Sequence, residues 1–304
     1  MAFNIDRFRK ERVYRCSGPI SELRDDLERL RLLDMDVERS RKNWRQAALL
    51  CLAATFVLFV YGLTLDEGPE DALATRLTLW TGLVLLAGTV GCLIVYLRFR
   101  RLDLENRRYT LVSQVLHRLR RDIGPDAPVK LVVDLTPVDS SEKGLGKYKT
   151  STGWNAEDFS DPWLTLQTRL LDGTHVRIAA VQRLRKRSRT RRSISGKYKT
   201  KYRKDSWALF AVQLRVKAER YPDLARMEPE TRGAMRLPGG VVVDKLQVGE
   251  DRMALRTLVE REWDAGPNIQ NNAVDGAKSV VMMLLSLYHV LHYSKELGNQ
   301  AKAS

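Results

Sequence analysis

Two stretches interrupt an otherwise mixed pattern of apolar and polar positions. AALLCLAATFVLFVYGLTL, Ala47 to Leu65, and LTLWTGLVLLAGTVGCLIVYL, Leu77 to Leu97, contain no charged residue. Each reaches about the 20 residues that an α-helix needs to cross a hydrocarbon core of ~30 Å. Both are apolar all round and end abruptly in charge, which predicts two transmembrane helices and not a pair of buried core helices. Neither contains an ionisable group of the kind that marks ion or proton paths, so an anchor is the expected role of a single copy.

The flanks predict orientation. Arg39, Arg41, Lys42 and Arg45 precede the first span and Arg98, Arg100 and Arg101 follow the second, while the loop between them, DEGPEDALAT, has four acids and no base before Arg76. Positive flanks stay inside. Both termini are therefore expected in the cytoplasm, with a short acidic loop at 66–76 outside. In a bacterial cell this is a two-pass protein of the inner membrane. Folding the hairpin about a midpoint near residue 71 sets Cys51 opposite Cys92. Small residues, among them Cys51 and Thr55 on one span and Ala87 and Gly91 on the other, are expected to let the helices pack closely.

Beyond the spans the apolar spacing narrows to a helical seam. Ile20, Leu23, Leu27, Leu30 and Val37 recur at threes, fours and sevens before the first span, and Leu102, Tyr109, Val112, Leu116, Leu119 and Ile123 do so after the second. These are coiled-coil seams with charged flanks. Behind a basic N-terminal segment at 1–17, they predict stalk helices at 18–46 and 98–124, started by Gly18-Pro19 and stopped by Gly124-Pro125. The alternative is that the seams pack on the following domain or on neighbouring copies.

From residue 125 the period changes to two. VKLVVDL reads as a short buried strand, and WLTLQTRLL and THVRIAAVQRL, around Asp172-Gly173, read as a hairpin. WALFAVQLRV supplies a third strand and VVVDKLQV a fourth. A helix over about 271–295 carries SVVMMLLSLYHVL, too short to cross a bilayer, and is expected to cover the sheet. The fold class is α+β: a two-span helical hairpin, extended by an antiparallel stalk, leads into a cytosolic antiparallel-sheet domain at 125–304 with a covering C-terminal helix.

Composition sharpens one feature. The 304 residues carry a formal charge of +15, and 44% are hydrophobic, which excludes wholesale disorder. Residues 126–304 hold 31 Lys and Arg against 21 Asp and Glu, and 12 of those bases, with no acid, fall between 183 and 204. Without that segment the domain is slightly negative, so the cationic character is local. Alternation of Lys197, Lys199, Lys201 and Arg203 with Tyr198, Thr200 and Tyr202 predicts a projecting β-ribbon with its tip at 193–196. The candidate anion-binding residues are Arg183, Arg185, Lys186, Arg187, Arg189, Arg191, Arg192, Lys197, Tyr198, Lys199, Lys201, Tyr202, Arg203 and Lys204. Their partner is anionic lipid, nucleic acid with its bases on the tyrosines, or an acidic protein surface; a solvated loop is the bland alternative.

Candidate chemistry is sparse. GLGK at 144–147 has Tyr148 where a phosphate-binding loop needs a hydroxyl for the metal, and lacks the earlier glycine. GKYKT recurs at 146–150 and 196–200, as a duplicated hairpin or as coincidence. His289, His292 and Glu296 share a helical face, the spacing of packing residues more often than of metal ligands. The three cysteines, Cys16, Cys51 and Cys92, form no framework, which suits a reducing compartment. No serine elbow is present, and Asp134, Asp158 and Asp161 are scattered along the chain. No signal peptide, cofactor or enzymatic activity is expected. These readings predict an oligomeric inner-membrane protein that binds an anionic partner without catalysis, or else a membrane-disrupting or pore-forming effector whose cytosolic domain senses a signal.

Overall fold

The computed structural model of the chain describes residue 8 and residues 10–62, 72–102, 104–193, 196–266, 269 and 272–303. Most of the expected external loop and two residues of the expected ribbon tip lie outside this set. Two compact units emerge, Met1–Leu27 with Glu105–Ser304, and Glu28–Leu104. The chain combines helices with antiparallel sheet, including two long apolar helices near the N-terminus and a C-terminal helix.

The first unit is built on an eight-stranded antiparallel sheet. Its strands are β1 (Val13–Gly18), β2 (Val129–Asp134), β3 (Gly144–Lys149), β4 (Asn155–Arg169), β5 (His175–Arg192), β6 (Tyr198–Arg215), β7 (Val241–Val248) and β8 (Arg252–Val259). The order is β1-β2-β4-β5-β6-β8-β7, with β3 on the distal half of β4. Period-two patterning decides which face is buried. Leu164 and Leu166 face Ala180 and Ile178, and Val212 and Phe210 continue the row on β6. Leu171, Asp172 and Gly173 close the β4–β5 hairpin, with Gly173 at φ 89°, where a side chain would be strained.

Helices α3 (Asn106–Leu119) and α5 (Gly276–Ala303) lie together on the buried face. A helix-period stripe of α5, including Val280, Met283, Leu287 and Leu291, is inward. Gly276 sits where a Cβ would come within 2.9 Å of both Leu111 and Trp263, so the start of α5 approaches α3 closely. The short helix α4 (Glu228–Ala234) and the two-residue strands β9 (Trp263–Asp264) and β10 (Val274–Asp275) complete the unit.

Two boundaries differ from those the seams suggest. Part of the expected N-terminal segment is strand β1, paired along its length with β2. The expected second stalk helix at 98–124 is broken: α2 (Ala72–Leu102) ends, and α3 starts at Asn106 after an extended Glu105. The Asp34 carboxylate accepts the Leu104 N–H at 3.2 Å, satisfying a donor that a continuous helix would use itself. The seam residues Tyr109, Val112, Leu116 and Leu119 are buried on α3, which packs against α5.

The second unit contains most of α1 (Ile20–Gly62) and all of α2. Both helices include a stretch long and apolar enough to cross a membrane, with mean hydropathy 1.6 and 2.0, and no part of either window is buried. Their less exposed stripes run through Cys51 and Thr55 on α1, and through Leu85, Thr89 and Cys92 on α2. Ala87 and Gly91 lie outside that stripe, on the exposed side of α2. A displacement of two residues turns a side chain about 200° around a helix. Within one chain these two small residues therefore do not provide the close approach expected of them, and nothing lies within 4 Å of a Cβ at Gly91.

Candidate anion-binding site

The basic segment is a regular ribbon. β5 and β6 pair without interruption from His175↔Arg215 to Arg192↔Tyr198, so every residue between has a defined partner and face. Residues directly opposite share a face. One face carries Arg183, Arg185, Arg187, Arg189 and Arg191, opposed in turn by Trp207, Asp205, Arg203, Lys201 and Lys199. The other carries Lys186 against Lys204, Ser188 against Tyr202, Thr190 against Thr200, and Arg192 against Tyr198. Lys197 lies at the tip beside Gly196, whose φ of 80° turns the chain.

The root of the ribbon is wider than two strands. A bulge at Asp161–Leu164, around Pro162, shifts the register of β4 by one residue, and beyond it β4 continues along β5 to Asn155↔Ser188. β3 then pairs with this distal β4. Acids from distal β4, from β6 itself and from the segment before β3 meet the basic rows. Asp158 accepts two hydrogen bonds from Arg185 at 2.8 and 3.0 Å, Asp205 accepts one from Arg187 at 2.6 Å, and Asp139 accepts one from Lys186 at 2.8 Å. Arg203 lies over the Trp154 ring, 5.3 Å from its centre. The Arg185 hydrogen bonds hold the Asp158 carboxyl below the usual range against an opposing effect of burial, and Lys186 does the same for Asp139. An open groove of about 580 Å³ follows this region, bordered by Tyr148, Glu157, Arg187, Tyr202 and Arg203.

Beyond the root the compensation stops. Among the described residues no acid pairs with Arg189, Arg191, Lys199 or Lys201, which form two successive like-charge rungs on one face. Like charges directly opposed in a sheet oppose its formation. On the reverse side the Thr190 and Thr200 hydroxyls bond at 2.9 Å, flanked by Tyr198 and Tyr202, 74% and 77% exposed. The candidate residues therefore divide in three: a root where acids pair with Arg185, Lys186 and Arg187, an uncompensated cationic face, and a hydroxyl-and-tyrosine face that also carries Arg192.

A buried ionic cluster anchors the root. Arg108 of α3 and Asp161 at the bulge are fully buried and paired at 2.7 Å; Lys143 reaches Asp161 at 2.7 Å and Asp134 at 3.0 Å, and Glu105 also engages Arg108. Thr136 and Lys143 hydrogen-bond Asp134; burial alone would raise its carboxyl, but these contacts outweigh it and the net shift is downward. Below the cluster Trp163 stacks on Trp263 with centres 5.6 Å apart, and the Trp263 indole donates to Gln182 at 2.9 Å. The scattered carboxylates Asp134 and Asp161 are thus joined through Lys143 and Arg108, as ion-pair partners in a closed network. From the sequence Asp158 and Asp161 stand out only as scattered carboxylates, because the bulge that aims them at their bases leaves only Pro162 as a signal.

The remaining candidates stay apart. Gly144 to Lys147 form strand β3, not a loop before a helix, and His289 and His292 are exposed on α5. Among the described residues no group of three His, Cys, Asp or Glu converges as metal ligands. Comparison of the chain with protein-family models, curated proteins and solved structures finds no match.

Proposed function

We propose that the chain is a two-pass, oligomeric protein of the inner membrane, both termini in the cytoplasm, whose cytosolic domain binds an anionic partner through the distal β5–β6 ribbon without catalysis. The observation that supports this reading is the pair of like-charge rungs, Arg189–Lys201 and Arg191–Lys199. Their repulsion costs folding stability, whereas the same surface at the root is neutralised by acids. An anion laid along the face removes that repulsion. The exposed tyrosines lie on the reverse face, where Arg192 and Lys204 accompany them, so stacked nucleic-acid bases would engage that face and not the like-charge rungs. An acidic protein surface or a sheet of lipid headgroups suits a flat cationic face better.

Replacing Arg189, Arg191, Lys199 and Lys201 by Gln in the full chain tests this. Binding to a panel of phosphatidylglycerol vesicles, acidic polypeptide and duplex oligonucleotide should fall steeply for whichever member the parent binds. Thermal stability should hold or rise, since the replaced pairs repel. Unchanged binding to every member contradicts the proposal. A second reading, a pore-forming effector, draws support from the two charge-free windows left uncovered within one chain. It requires that expression collapse the membrane potential and that a charge placed at Leu85 prevent this.

A further inference from the structure

The ends of the apolar helices hold a second basic site, separate from the ribbon. Side chains of α1 and α2 there enclose a cleft of about 760 Å³, within the size range of small-molecule sites. Arg39, Lys42 and Arg45 line it from α1, and Tyr96 and Arg100 from α2. Spaced at threes, the α1 bases stack like charge on one helical face, which weakens an isolated helix. Glu38 and Arg41 also border the cleft and are already engaged. Among the described residues no ion pair reaches Arg39, Lys42, Arg45 or Arg100.

Depth selects the ligand. Arg45 and Lys42 precede Ala47 by two and five residues, and Arg100 follows Leu97 by three. At 1.5 Å per residue these three bases lie about 3 to 8 Å outside the hydrocarbon edge, which is the headgroup layer of a bilayer. Tyr96 stands at the edge itself, where amphipathic rings collect. A cationic cleft at that depth, continuous with the uncovered apolar surface of two spans, matches a molecule with an anionic head and an apolar tail.

We propose that the cleft binds the phosphodiester headgroup of an anionic phospholipid of the cytoplasmic leaflet, with the Arg45 and Arg100 guanidinium groups and the Lys42 ammonium donating to its oxygens and the acyl chains lying along α1 and α2. The inference rests on the membrane placement proposed above. It does not depend on the ribbon.

The full chain in phosphatidylcholine nanodiscs, with and without phosphatidylglycerol, provides the test, read by native mass spectrometry of retained lipid and by thermal stability. Phosphatidylglycerol should be retained and should raise the melting temperature, while phosphatidylcholine and inorganic phosphate should do neither. The Lys42→Gln, Arg45→Gln, Arg100→Gln variant should bind the lipid about 100-fold more weakly, as three juxtamembrane bases imply. All three side chains are exposed, and an unchanged melting temperature of the variant in phosphatidylcholine nanodiscs reports that it is folded. Equal retention of both lipids, an equal effect of inorganic phosphate, or wild-type affinity in the variant overturns the inference. Cell fractionation separates the two failures: a chain found with soluble protein removes the membrane placement as well, whereas a membrane-bound chain without lipid preference removes only the headgroup site.

Discussion

Asp161 illustrates how one residue can secure a surface it does not belong to. Its two oxygens meet Arg108 and Lys143, each at 2.7 Å, in a site closed to water. Replacing it by Asn would leave Arg108 with only Glu105 and Lys143 with only Asp134 as counter-charge, and breaking a buried pair costs about 3–5 kcal/mol. Asp161→Asn should therefore lower unfolding free energy by that amount in denaturant melts; a loss under 1 kcal/mol would mean that water or Glu105 replaces the contact. The bases of the distal ribbon stand in the opposite situation. Arg191 has Lys199 across the strand and, among the described residues, no acid to offset it, so its charge works against the fold of the ribbon.

At the scale of elements, the root of the ribbon responds to acid and the distal part does not. Asp158 and Asp139 are held low by Arg185 and Lys186, so the stability they contribute is present above the ordinary carboxylate pKa and is lost as pH falls through their depressed values. Opening free energies from amide exchange across 155–161 and 183–188 should stay level from neutral pH to about 5 and decline below about 4. A decline beginning near neutrality would assign the root to other groups. Close packing makes a second element-scale prediction. Gly276→Ala drives a methyl into Leu111 and Trp263, and overpacking of this kind costs about 1–3 kcal/mol, measurable as a lowered melting temperature.

Much of this architecture was legible from periodicity alone. The β4–β5 hairpin, β6 and the buried stripe of α5 all follow apolar alternation or helical spacing, because burial of one face fixes their phase, whereas β7, with only Leu246 buried, is marked by its run of valines. Strand β8 was equally legible, since Met253, Leu255, Thr257 and Val259 alternate, yet it passed unread beside the stronger hairpin signal. The acids at the ribbon root were not legible. Counting pairs outward from Leu171–Gly173 sets Asp158 opposite Lys186, and only the one-residue bulge at Pro162 moves it opposite Arg185 and exchanges its face. The α2–α3 break was likewise hidden, because the seam continues across it while the backbone is diverted by a contact from Asp34, 70 positions earlier.

At the scale of the whole molecule, the two proposed cationic sites depend on one topology. The proposed lipid site requires the cleft between α1 and α2 to lie at headgroup depth, and the ribbon belongs to the domain that follows the second apolar helix. Both assignments require that the chain cross the bilayer twice and return to the cytoplasm, as the basic flanks predict. The most direct measurement is the accessibility of a single cysteine at Lys199, introduced with Cys16, Cys51 and Cys92 replaced by serine. In intact spheroplasts a membrane-impermeant maleimide should leave it unlabelled, with full labelling once the inner membrane is permeabilised. Labelling of intact spheroplasts would place the ribbon outside the cell and contradict the account.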